Sequence, residues 1–110
     1  MANQEILTKE KVYDILFKTM QNKGLSFSVY DCSNKYHNNI QIEPTGYKDK
    51  KFDGMAILFE DGIYEVVEQQ AGKKENELHI FLETRSLKVA LNNLMKGNKR
   101  RKSEILKIWD

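Results

Sequence analysis

MAILFEDGIYEVVEQ, residues 55–69, reads as two β-strands joined by a tight turn. Residues 55–59 are apolar throughout and too short for a helix between their turn signals, the pattern of a central strand covered on both faces. Asp61-Gly62 supplies the turn, because both residue types reach positive φ at low cost. Residues 63–69 return as the partner strand of this hairpin.

Working outward, period two recurs on either side. Leu25, Phe27 and Val29 alternate with Ser26, Ser28 and Tyr30, and Ile40 and Ile42 alternate with Asn39, Gln41 and Glu43, which predicts two half-buried strands separated by a polar loop over 31–38. The second of these closes at Pro44-Thr45-Gly46. Downstream, Leu78, Ile80 and Leu82 mark a fifth strand. Helical spacing frames the strands. Thr8 is placed to cap a helix over about 9–22, with Val12, Ile15, Leu16 and Met20 on its apolar stripe and Tyr13 and Phe17 widening it. Ser86 caps a second helix, whose Leu87, Ala90, Leu91, Leu94 and Met95 form the cleanest amphipathic stripe before Gly97 ends it. Ser103 and Glu104 then start a short third helix carrying Ile105, Ile108 and Trp109. The expected architecture is a single α+β domain over 1–110: a five-stranded antiparallel meander, with the N-terminal helix and two C-terminal helices packed on one face. If helices cover one face only, Ala56, Leu58 and Phe81 fall on the other.

A chain of 110 residues buries about 65% of the surface it exposes when unfolded, enough for one core without metals or disulfides. No apolar run approaches the roughly 20 residues of a membrane span, so no membrane partner is expected. The opening MANQEILTKEK lacks the basic-then-apolar order of a secretory signal, and the lone Cys32 cannot form an internal disulfide, so the expected location is cytoplasmic. The net charge of +2 hides an asymmetry. Residues 1–84 carry 10 Lys/Arg against 14 Asp/Glu, whereas residues 85–110 carry 8 against 2.

No catalytic constellation emerges. Zinc sites use three or four convergent nitrogen or sulfur ligands, and Cys32 and His37, five apart in a loop with Asp31 nearby, fall short of that; His79 lies far off in a strand. Nothing in the pattern marks Cys32 as an activated thiol with His37 as its base. Each glycine is isolated at a turn or helix end, so no phosphate cradle is expected. These readings predict a non-enzymatic protein with no cofactor and no metal. Two charged surfaces remain. Glu60, Asp61, Glu65 and Glu68 surround the Asp-Gly turn with Tyr64 interleaved, a composition suited to docking a basic protein partner. Loop 31–38 can supplement that surface. Lys96, Lys99, Arg100, Arg101 and Lys102 form the alternative, a segment for nucleic-acid phosphates. A homodimer through the open sheet face is a further arrangement that the pattern allows.

With its N-terminal helix, meander and SLKVALNNLMKG helix after the last strand, the chain resembles small immunity proteins of bacterial polymorphic-toxin systems of the contact-dependent inhibition type. The resemblance implies a bacterial cytoplasmic inhibitor that blocks a cognate toxin, often a basic nuclease, by occluding its functional surface. No inhibitory residues carry over from it.

Overall fold

Helix formation begins where the capping chemistry is in place. The amide of Lys11 donates to Thr8 Oγ1 at 3.2 Å, and α1 runs Lys9–Met20. Val12, Leu16 and Met20, one helical turn apart, are its buried residues. Tyr13 and Phe17 do not widen that stripe: they are 42% and 68% exposed. Ser86 caps α2 (Leu87–Leu94), accepting the Val89 amide at 3.3 Å, and the chain leaves past Gly97 at φ 61°. The computed structural model describes residues 6–20, 25–48, 52–69, 78–97 and 106–109.

Between the helices run β1 (Ser26–Asp31), β2 (Asn39–Thr45), β3 (Met55–Glu60), β4 (Ile63–Gln69) and β5 (Leu78–Thr84), and the chain's last described segment contains β6 (Leu106–Ile108). The sheet order is β1-β2-β3-β4-β5-β6. The first five strands are the expected antiparallel meander. The sixth is a correction. Leu106–Ile108 pairs parallel with β5 rather than forming a third helix, and the sheet is therefore mixed. Short segments with apolar residues at both two- and three-residue spacing satisfy either period. The free edge of β5 decides for the strand.

Side-chain phase follows from the register. Val29, Ile42, Ile57 and Val66 line up across β1–β4 and are all at most 2% exposed. They form one core with Leu16 of α1 and Leu87, Ala90, Leu91 and Leu94 of α2, so both helices cover the same sheet face. Ala56 and Leu58 fall on the opposite face and are half-buried there. Phe81 does not join them. A register shift at Val66/Val67 changes the phase of β5, and Phe81 sits 2% exposed in the core shared with the helices. Val67 takes the open face instead, opposite Ala56.

Candidate functional site

The antiparallel pairing of β2 with β3 places Asn39 opposite Glu60. The loop entering β2 therefore meets the turn leaving β3. That turn has the backbone its sequence implies, with Asp61 at φ 46° and Gly62 at φ 100°. A two-residue hairpin with both central residues at positive φ matches the twist of the strands.

Loop and turn are joined by reciprocal hydrogen bonds. The Asn38 amide donates to Asp61 Oδ1 at 2.8 Å, and the Asp61 amide donates to the Asn38 carbonyl at 3.1 Å. His37 Nδ1 donates to Asp61 Oδ2 at 2.7 Å. Within the loop, Asn34 Oδ1 accepts the amides of Tyr36 and His37, each at 2.8 Å. Ser33 Oγ accepts the Asn39 amide and Asn38 Nδ2. The Asn38 side chain also binds both backbone groups of Leu7, accepting from its amide at 2.7 Å and donating to its carbonyl at 2.9 Å. Asparagine and serine suit this role because short polar side chains can substitute for backbone partners. The result is a cross-braced loop from which Tyr36 projects, 79% exposed, with Ile6 (64% exposed) beside it. Both residues line a cleft of about 230 Å³ together with Phe59 and Asp61.

The electrostatics follow the same contacts. The hydrogen bond to Asp61, helped by the charges of Asp61 and Glu60, raises the pKa of His37 above its ordinary value. His37, then the Asn38 amide, hold the Asp61 carboxyl below the usual carboxylate range.

The five residues expected to form one acidic docking surface separate. Glu60 and Asp61 are exposed at the turn. Glu65 is half-buried on the open sheet face, where burial, followed by the charges of Glu83 and Glu60, raises its pKa. Tyr64 and Glu68 lie on the helix-covered face, opposite Phe59 and Met55, with only 7% and 6% of their surface exposed. Tyr64 packs against Phe59 with ring centroids 4.7 Å apart, and burial pushes its phenol up to about 12. Neither residue offers a docking surface. Alternation explains the separation: Tyr64, Val66 and Glu68 share one face of β4, whereas Glu65 faces the other way.

Of the basic segment, Lys96 is exposed, and Lys99, Arg100, Arg101 and Lys102 lie outside the described residues. Cys32 is exposed, and its thiol is not hydrogen-bonded to His37, whose Nδ1 turns to Asp61. Asp61, Glu60 and His37 do converge, with one ligand atom from each within 4.8 Å of the others. This grouping joins residues 24 apart in the chain. The Asn39–Glu60 register is the signal that would have revealed it.

Among the described residues no helix is long and apolar enough to cross a membrane. No family model matches the chain, and comparisons with curated proteins and with solved structures find no match.

Proposed function

We propose that this domain is a non-catalytic binding protein that neutralises a cognate protein partner by covering its functional surface, as the small immunity proteins it resembles do. The observation that carries this reading is the braced loop at 33–38, which holds Tyr36 79% exposed beside Ile6 and the carboxylates of Glu60 and Asp61. Large exposed aromatics on a rigid frame are what interfaces use as anchors, because little side-chain entropy is lost on docking. Adjacent carboxylates favour a basic partner and speed its approach. The docking surface is thus the 33–38 loop with the Asp61-Gly62 turn, replacing the β4 face that contains Tyr64 and Glu68. The basic nuclease toxin suggested by the resemblance fits this chemistry.

The test is recovery of the partner from native lysate by the wild-type protein and by Tyr36→Ala, followed by assay of the captured protein's own activity with and without the domain. One stoichiometric protein, inhibited on binding and released by Tyr36→Ala, supports the proposal. Equal capture by the variant overturns the assignment of this surface. Nucleic acid as the retained species, lost at high salt, overturns the inhibitor reading and moves function to residues 96–102.

A further inference from the structure

We infer that His37, Glu60 and Asp61 form a binding site for a divalent transition-metal ion, with zinc the natural ligand of the set. This rests on the geometry of the three side chains and is independent of the partner-binding proposal. One nitrogen and two carboxylate groups, drawn from two chain segments, bring a ligand atom each to within 4.8 Å of one another. Zinc takes such ligands at about 2.0–2.2 Å, and tetrahedral coordination then sets neighbouring ligand atoms roughly 3.3 Å apart. His37 Nδ1 and Asp61 Oδ2 stand 2.7 Å apart around a shared proton. Replacing that proton with an ion requires them to part by about half an ångström, a side-chain adjustment. Glu60 is exposed and closes the third position from the turn, leaving the fourth for water.

Two features favour occupation. Asp61 presents Oδ2 while the Asn38 amide holds its other oxygen at 2.8 Å, the outer hydrogen bond that ligating carboxylates require. The hydrogen bonds to Asn34 fix the His37 backbone, so little loop entropy remains to be lost. The imidazole selects zinc, cobalt or nickel over magnesium and calcium, which prefer oxygen-only ligand sets.

The experiment is calorimetric titration of untagged protein with Zn²⁺, paired with ¹H–¹⁵N spectra recorded with paramagnetic Co²⁺ or Ni²⁺. The expected result is one saturable site at sub-millimolar Zn²⁺, with broadening confined to residues 36–39 and 60–62. His37→Gln lowers the affinity at least about tenfold, because it removes the only nitrogen ligand. Affinity falls about tenfold per pH unit below the His37 midpoint, since the ion displaces one proton there. His37→Gln and Glu60→Gln change exposed side chains, and their dispersed spectra serve as the folding control. Asp61 is left intact because it also holds the loop. Absence of saturable binding overturns the inference, as does affinity unchanged in both variants. Loss of binding in Cys32→Ser also overturns it, since the ion would then sit on the thiol.

Discussion

Asp61 bears the conformational and chemical demands of the site at once. Its φ of 46° is the one positive value among described non-glycine residues, and aspartate tolerates this conformation better than most side chains because it can bond locally. Its two carboxylate oxygens are then divided between the Asn38 amide and His37 Nδ1. Because the folded state raises the pKa of His37 above 6.5, the pair contributes fully to stability below the unfolded value. That contribution is lost as pH rises through the folded value. The ring-proton NMR titration of His37, in metal-free buffer, should therefore show a midpoint above 6.5 in the wild type and a return toward it in Asp61→Asn. An unchanged midpoint in the variant would remove Asp61 as the cause. Nothing in the local sequence signalled this pairing, because its partners are joined only when β2 and β3 align.

At the scale of elements, what was legible is what local chemistry specifies. The Asp-Gly hairpin and both helix caps follow from residues adjacent in sequence, and each is where its spacing predicts. Two features depended on tertiary competition instead. Residues 106–108 pair with the β5 edge although their neighbours resemble a helix start, and the register shift at Val66/Val67 moves Phe81 into the core against strict alternation. Phase matters equally in β4, where Tyr64 and Glu68 share the buried face and stand apart from the exposed acidic turn at Glu60 and Asp61. Where local chemistry does decide, single changes should have local costs. Ser86→Ala removes the acceptor of the Val89 amide and should cost about 1 kcal/mol in urea unfolding. A cost near zero would show that α2 is held by its packed face alone, through Leu87, Ala90, Leu91 and Leu94.

For the whole molecule, the deciding asymmetry is that both helices sit on one sheet face and leave the other, where charged residues alternate with Ala56, Leu58 and Val67, without a helix. A single row crosses that open face: Tyr30, Gln41, Leu58, Glu65, Glu83 and Lys107, successive register partners from β1 to β6. Glu65 and Glu83 are therefore direct cross-strand neighbours of like charge, an arrangement that destabilises a sheet. Lys107 relieves Glu83 from the far side, its Nζ 3.9 Å from the carboxylate, but reaches Glu65 only through it. Burial then adds to the penalty, and the Glu65 pKa is raised. A carboxyl whose pKa is higher folded than unfolded binds its proton more tightly in the native state, so folding loses stability as pH rises through the folded value. Glu65→Gln keeps the shape and removes the charge. The variant should gain roughly 0.5 kcal/mol at neutral pH, the scale of a cross-strand charge pair. That gain should shrink toward zero in acid, where the wild-type carboxyl is already protonated. Urea unfolding at neutral pH and again near pH 3, below the ordinary carboxylate range, separates the charge from the shape. A gain equal at both pH values would assign the effect to packing beside Leu58. A loss at neutral pH would mean that the Glu65 charge has a favourable partner on the open face, and that this face is more than the uncovered back of the core.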